Sequence, residues 1–486
     1  MPQPLRIVVI GAGPAGLTAA CEALRAGFAV TVLEQSSDEI GGLSKTVRFK
    51  GNRFDIGGHR FFSKNEEIRR WWRERLPNDF LNVNRKSRIL YRGRFFEYPL
   101  QPWNALRNLG PLTSAACVAS YAWARLFPKR PEVSFEDWVS NRFGRRLFRI
   151  FFKTYTEKVW GVPCAQLSAD WAAQRIKGLS LLGAVWNAFF RPRPKEASHA
   201  IKTLINTFEY PRLGPGQMWE RAAADFQAAG GALVQGFRAT RLLRRDGRIH
   251  AVEATDASGA RRLFEADQMI ASMPLRDTIL ALDPPPPAGV LDAARRLTYR
   301  DFLTVALVVE GDNPFPDNWI YVHEPCVRLG RIQNFRNWSP EMVARAGTTC
   351  LGLEYFCFEG DELWNARDED LLALGRREIS SLGLVRPGQI VDGTVVRMEK
   401  AYPVYPPGYQ DSLAVIRRGL ADVVNLQVVG RNGMHRYNNQ DHSMMTGLLA
   451  VRNLQGASYD LWKVNNDAEY HEEGADGGAG SRTSPD

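Results

Sequence analysis

The segment that most narrows the folds open to this chain lies at its start, Arg6 to Gln35, RIVVIGAGPAGLTAACEALRAGFAVTVLEQ. An apolar strand runs into a glycine turn, an Ala/Leu-rich helix and a second strand ending in an acid. Gly11, Gly13 and Gly16 form G-x-G-x-x-G: the first permits a tight turn, the second lets a pyrophosphate approach the backbone, and the third lets helix and sheet meet closely. The helix N-terminus then turns its unpaired N–H groups and positive dipole end toward the phosphates. Glu34, about twenty residues on, is placed to accept hydrogen bonds from a ribose. Strand, turn, helix, second strand and acid in register predict an α/β fold with a Rossmann-like dinucleotide-binding unit.

A chain of 486 residues exceeds what one hydrophobic core usually organises, so two or three interdigitated domains are expected. The formal charge of +10, carried mostly by arginine, suits bidentate gripping of phosphate or carboxylate. No helix-turn-helix, zinc-knuckle or RNA-binding aromatic pattern accompanies it, so nucleic acid is not the expected partner. The six cysteines lie at neither metal-type nor paired spacings, which predicts reduced thiols, no metal site and a cytoplasmic chain. The longest uncharged run, Asn108 to Ala124, is broken by Pro, Ser and Thr and falls short of the roughly 20 apolar residues of a spanning helix. Peripheral contact with a membrane or a greasy substrate stays open for it.

Gly41-Gly42, soon after the ribose acid, resembles the extended motif of glutathione-reductase-type FAD proteins, which makes FAD the expected cofactor. A second unit near the C-terminus, the strand Asn425–Gly430 with its following loop and helix, resembles the element with which such folds close on the flavin; Gly430, Arg431 and Gln440 would hold the cofactor there. No second G-x-G-x-x-G appears, so no nicotinamide domain is expected. Strand and hairpin patterns recur after a helical, aromatic stretch, which predicts a discontinuous FAD domain from residues 1–65, 200–275 and 400–460. A helical substrate or cap domain would take 66–199, a β-sheet substrate domain 276–399, and a disordered polar tail 465–486.

Between the first FAD segment and the helical stretch lies GGHRFFSK, Gly57 to Lys64. FDIGGHRFFSK resembles the Gly-(Ala/Pro)-His-x-Phe segment of bacterial UDP-galactopyranose mutases. TYTEKVWG, Thr154 to Gly161, is similar to that family's Tyr-Thr-x-Lys-x-Trp-Gly signature, and GRNGMHRYNN to its closing Gly-Arg-x-x-x-x-x-Tyr region. The resemblance implies that Gly57, Gly58 and His59 lie against the flavin, that Tyr155 stacks on a nucleotide base, and that Trp160 borders the sugar. Arg175 and Arg331 would reach phosphate, Tyr405 and Tyr437 would donate to the diphosphate, and Arg431 would act near the ring. His59, Arg431 and Tyr437 form the implied catalytic set. As aromatics on a helix, Tyr155 and Trp160 could equally belong to a core.

The implied activity is interconversion of pyranose and furanose forms of a nucleoside-diphosphate sugar through an adduct at N5 of reduced flavin, with an external reductant and no net oxidation. Departures stand at Val159, where many mutases have Gln, at Asn439 and Gln440, and in RIQNF, which lacks an acid found in some relatives. The apolar loop 179–190 fits a substrate-closing element or a lipid-facing one. The alternative is an FAD-dependent oxidase or desaturase, resembling amine oxidases or protoporphyrinogen oxidases, for which EYPRLGPGQMWERAAAD offers a similar central segment. A flavin-bearing scaffold without turnover is a third reading.

Overall fold

The computed structural model describes residues 4–169 and 207–465; Arg175, most of the 465–486 tail and the 179–190 loop lie outside them. The first unit is the expected one: β1 (Arg6–Ile10), α1 (Pro14–Arg25) and β2 (Ala29–Glu34). β1 and β2 occupy the middle of a five-stranded sheet ordered Leu426–Val428, Gln268–Ala271, β1, β2, Ala232–Gln235, with every pair parallel. Because a parallel sheet is covered on both faces, its central strand β1 is buried from Ile7 to Ile10. The helix Gln440–Leu454 lies directly on α1, where a Cβ on Gly447 would stand 2.5 Å from the Ala15 carbonyl oxygen. Strands from three distant parts of the chain thus complete one parallel sheet.

β3 (Thr46–Phe49) and β4 (Asn52–Asp55) form a hairpin through Lys50 and Gly51, both at positive φ, which matches a type I′ turn to the strand twist. Asp246-Gly247 joins Arg238–Arg245 to Arg248–Thr255 in the same way. The β3–β4 hairpin is fastened to the later chain by a buried network. The Tyr210 hydroxyl donates to Asp55, Thr46 Oγ1 donates to Asp55 at 2.9 Å, and Gly216 N donates to Thr46 Oγ1 at 2.9 Å. Burial pushes the Asp55 carboxyl up to about 7 against the pull of those hydroxyls.

The second large sheet has seven strands, ordered Ile390–Pro403, Tyr299–Glu310, Thr348–Cys357, Arg331–Asn334, Trp319–Val322, Ser87–Tyr91, Arg94–Glu97. One face is apolar, with Leu303, Val305, Ile332, Leu351 and Leu353 packed in a cluster with Leu371 and Ile379 of the helix Asp368–Ser381. The other face, through Ala306, Trp319 and Cys350, packs with Phe54 of β4 and with Phe208 and Tyr210. Two of its strands come from the stretch expected to be helical: Ser87–Tyr91 and Arg94–Glu97 turn through Arg92-Gly93, both at positive φ, and Phe80–Asn84 pairs with Thr207–Pro211. Short alternating runs about an Arg-Gly turn carry little periodic signal beside the long helices that follow, which explains their absence from the sequence reading. The cysteines are all unpaired, and no cluster of potential metal ligands occurs among the described residues.

Candidate active site

The glycine turn meets the demands of a dinucleotide. Gly11 has φ of +97°, and a Cβ on Gly16 would lie 1.9 Å from the Gly11 carbonyl oxygen, so these two glycines are required by the chain itself. Gly13 differs. A Cβ there would have Gly42 Cα, 3.8 Å away, as its nearest neighbour, and its φ of −84° suits any residue, so the chain leaves open space at this position. The N-terminus of α1 has no side-chain cap, which leaves its N–H groups to a ligand. Glu34 accepts from Ala12 N at 2.7 Å through one oxygen and from Ser36 N at 3.0 Å through the other. Its carboxylate is thus fixed beside the glycine turn with lone pairs to spare. Gly41, at φ of +105°, donates its N–H to the Ala12 carbonyl at 3.0 Å and brings the Gly41-Gly42 pair alongside the same turn. An uncapped helix end, an open Gly13 and an oriented Glu34 fit the diphosphate and ribose of FAD.

After β4 the chain turns through Gly57, at φ of +85°, and Gly58, where a Cβ would meet the Trp338 ring at 3.0 Å. His59 follows, half-buried, with a buried Nδ1 that has no hydrogen-bond partner. Burial, with the guanidiniums of Arg431 and Arg331 nearby, lowers its pKa to about 3, so the imidazole is neutral. The C-terminal unit reaches this turn directly: Gln440 Nε2 donates to the Arg60 carbonyl at 3.0 Å. Gly430, at φ of +81°, donates to Thr446 Oγ1, and Arg431 Nε donates to the Asn438 carbonyl at 2.9 Å. The Arg431 guanidinium lies 4.5 Å from the Tyr437 ring centroid and 5.6 Å from that of Tyr402, and the two rings stack at 5.8 Å.

The facing wall comes from register across the seven-stranded sheet. Thr304, Glu354, Arg331 and Tyr321 sit directly opposite one another on four neighbouring strands and form a polar row across this face. Arg331 Nε donates to Glu354 Oε2 at 2.5 Å, and Gln333 Nε2 donates to Glu354 Oε1 at 2.8 Å. Burial opposes the Arg331 charge, but Glu354 and the surrounding tyrosines hold its pKa well above the usual value. A Cβ on Gly57 would come 3.4 Å from Arg331 Nη2, so the histidine turn and the polar row share one space. Tyr155 stacks face to face on His323 at 5.1 Å and meets Tyr321 edge-on at 5.3 Å. Burial raises the Tyr155 hydroxyl well above its ordinary pKa and that of Tyr402 to about 12, which keeps both protonated.

The rest of TYTEKVWG fixes Tyr155 in place. Lys158 Nζ donates to the carbonyls of Val322, Glu324 and Leu329 at 3.1, 2.7 and 2.9 Å, pinning the helix Thr154–Trp160 to the loop that carries His323. Gly161 ends the helix at φ of +68°, where a Cβ would fall 2.4 Å from the Arg300 guanidinium carbon. That guanidinium in turn donates to the Val159 and Phe356 carbonyls.

Of the residues singled out in the sequence, His59, Tyr155, Arg331, Arg431 and Tyr437 come together in this space. Trp160 and Tyr405 are buried in an adjacent apolar cluster with Phe135, Phe148 and Val404, the two rings 6.1 Å apart. Tyr402, Tyr321, Glu354 and Gln333 join the site without having been singled out. A signal existed for two of them: Glu354 is the lone acid in the strand TTCLGLEYFC, and Tyr402 is the first tyrosine of AYPVYPPGY, three residues before the one chosen.

The family model described as flavin containing amine oxidoreductase matches residues 14–430. A probable UDP-galactopyranose mutase of Klebsiella pneumoniae is 27% identical over 176 residues, 34% of this chain and 43% of the mutase. The L-glutamate oxidase precursor of Streptomyces viridosporus is 52% identical over 50 residues, 10% of this chain and 8% of the precursor. The chain therefore spans less than half the length of these curated relatives. Among solved structures, reduced UDP-galactopyranose mutase superposes with a TM-score of 0.79 over 96% of this chain and 99% of that one, at 23% identity. A putative protoporphyrinogen oxidase from Exiguobacterium gives 0.68 over 94% and 99%, at 17% identity. Both likenesses speak for the fold. With a model matched over most of its length and a glycine turn fitted to the dinucleotide, the chain belongs to the flavin-containing amine oxidoreductase family and is an FAD-dependent enzyme.

Proposed function

We propose that the protein is a nucleotide-sugar mutase-like enzyme that interconverts pyranose and furanose forms of a nucleoside-diphosphate sugar. The observation that carries this reading is the meeting of Arg331 and Arg431 with the hydroxyl-bearing rings of Tyr155, Tyr321, Tyr402 and Tyr437 beside His59. A diphosphate taken out of water needs several charged and hydroxyl donors at once, and an uncharged substrate does not. The structural likeness to reduced UDP-galactopyranose mutase supports the reading from the side of the fold.

Reduced FAD, when bound, supplies the nucleophile for the anomeric carbon and the reaction consumes no net electrons. The chain supplies positions and charge. Arg331 and Arg431 stabilise the departing diphosphate, and Tyr155 and Tyr402, held protonated by burial, donate to its oxygens. Neutral His59 would lie against the flavin without adding to the positive charge of Arg331 and Arg431. Glu354 holds Arg331 by one edge of its guanidinium and leaves Nη2 toward the Gly57–His59 turn. Gly11, Gly13, Gly16, Glu34, Gly41, Gly42, Gly430 and Gln440 hold the cofactor, and an external reductant maintains it.

One observation favours the second reading, an oxidase or desaturase. Glu354 already neutralises Arg331, which weakens the attraction for a dianion and suits a neutral substrate. The test is anaerobic chemical reduction of the purified holoenzyme followed by a panel of nucleotide sugars. A furanose product formed without reoxidation of the flavin upholds the mutase reading. Substrate-dependent bleaching of oxidised flavin, with hydrogen peroxide released in air, selects the oxidase.

A further inference from the structure

The helix Pro111–Leu126 is inverted with respect to an ordinary surface helix. Its buried side carries Ser114 and Cys117, the latter packed against Phe96, Ile150 and Phe151 in a cluster that reaches Tyr321 at the candidate site. Its solvent side carries Leu112, Ala115, Ala119, Ala122, Trp123 and Leu126, recurring at the helical spacing of three and four. Leu112 is 87% exposed, Trp123 67%, Leu126 72% and the following Phe127 62%. A continuous apolar stripe of this kind on the outside of a protein marks a surface that meets something apolar.

The charge around it is one-sided. From Tyr98 to Pro131 the chain has no Asp or Glu, while Arg107, Arg125, Lys129 and Arg130 fall within the stretch and Arg145, Arg146 and Arg149 follow. The turn at Gly144 packs on the middle of the helix, where Arg146 N donates to Ser120 Oγ at 3.0 Å and a Cβ on Gly144 would stand 2.7 Å from Tyr121 N. Arg145 and Arg146 are therefore anchored beside the stripe. Lys129 pairs with Asp137, but Arg107, Arg125, Arg130, Arg145, Arg146 and Arg149 have no carboxylate partner among the described residues. Unpaired guanidiniums flanking exposed Trp, Leu and Phe suit a surface that is apolar within and anionic at its boundary. At 16 residues the helix is about 24 Å long, short of the roughly 30 Å of a hydrocarbon core, so it can lie in the interface but not span it.

We propose that this face docks the enzyme onto an anionic phospholipid bilayer, with the apolar stripe in the headgroup–acyl boundary and the arginines on the lipid phosphates. The inference is independent of which reaction the site performs. The test is sedimentation of the FAD-loaded full chain with phosphatidylcholine–phosphatidylglycerol vesicles, and with phosphatidylcholine vesicles, at low and high salt. Binding is expected to the anionic vesicles, with release as salt screens the arginines. Trp123→Ser with Leu126→Ser should weaken it about tenfold or more, and Arg145→Gln with Arg146→Gln about tenfold. Both variants should keep the flavin spectrum and thermal midpoint of the parent, which separates loss of docking from loss of folding. No sedimentation with anionic vesicles, or equal sedimentation by the variants, overturns the proposal. So does concentration-dependent self-association that the Trp123/Leu126 variant abolishes, which would make the face a contact between copies of this chain.

Discussion

The two ends of the candidate site are built in opposite ways. The nucleotide end is mostly local: one stretch from Arg6 to Glu34 supplies the turn, the uncapped helix and the acid, and Gly41-Gly42 joins it from shortly beyond. The substrate end is assembled from the Gly57–His59 turn, the Thr154–Trp160 helix, several strands of the second sheet and the loop after Gly430. At the first end steric necessity dictates residue type, because two of the glycines have no room for a side chain. At the second, identity is set by pairing across strands far apart in sequence, and what matters is charge and hydrogen-bond balance.

That contrast can be broken or sharpened by substitution. Gly16→Val, which drives a side chain into the Gly11 carbonyl, is expected to abolish recovery of soluble yellow protein; a variant with normal flavin absorbance would break the local account. Glu354→Gln leaves Arg331 buried without its counter-charge, and denaturant titration should show a loss of about 3 kcal/mol, with most of it recovered by adding Arg331→Gln. Lys158→Met removes the donor from three carbonyls and should destabilise by about 2 kcal/mol while raising KM more than it lowers kcat, since Tyr155 loses its support.

Acid titration probes the substrate end as well. The imidazoles of His59, His323 and His435 have pKa values lowered to about 3, 3 and 4, so between those values and about 6.5 the unfolded chain binds more protons than the folded one. Their contribution is complete above about 6.5 and is lost as pH falls toward 4. Asp55, raised to about 7, acts in the opposite sense and erodes stability as pH rises toward 7. A thermal-melt series should therefore show a shallower acid limb in His323→Phe and a gain near neutrality in Asp55→Asn. The smallest effect on stability belongs to Gly13→Ala, within about 0.5 kcal/mol, because the chain has room for the methyl group. Flavin affinity should nevertheless fall, and unchanged affinity would remove the reason given for the open position.

The same contrast explains what could be read in advance. The β1–α1–β2 unit, the hairpins through Lys50-Gly51 and Asp246-Gly247 and the long paired strands Tyr299–Glu310 and Thr348–Cys357 follow from local pattern, and each is visible in the residues. His59 and Tyr155 were legible because each sits in a compact motif. Tyr402 was missed although Tyr405 was chosen from the same short segment, because which of two tyrosines faces the space depends on where the strand Ile390–Pro403 ends. Glu354, Gln333 and Tyr321 depend on register between strands, which no single segment encodes. Lys158 and Gly161 were read as parts of a signature, and their partners, three carbonyls and Arg300, lie more than a hundred residues away.

The parallel sheet has a temporal consequence. Its outer strand Leu426–Val428 and the helix Gln440–Leu454, which lies backbone to backbone on α1, leave the ribosome long after α1 does. A nascent chain must keep the apolar side of α1 uncovered until Gln440–Leu454 has been made, and can enclose its prosthetic group only after that. Synthesis of this enzyme is thus expected to be sensitive to chaperone supply and to premature termination, and flavin added after release should be incorporated as well as flavin present throughout.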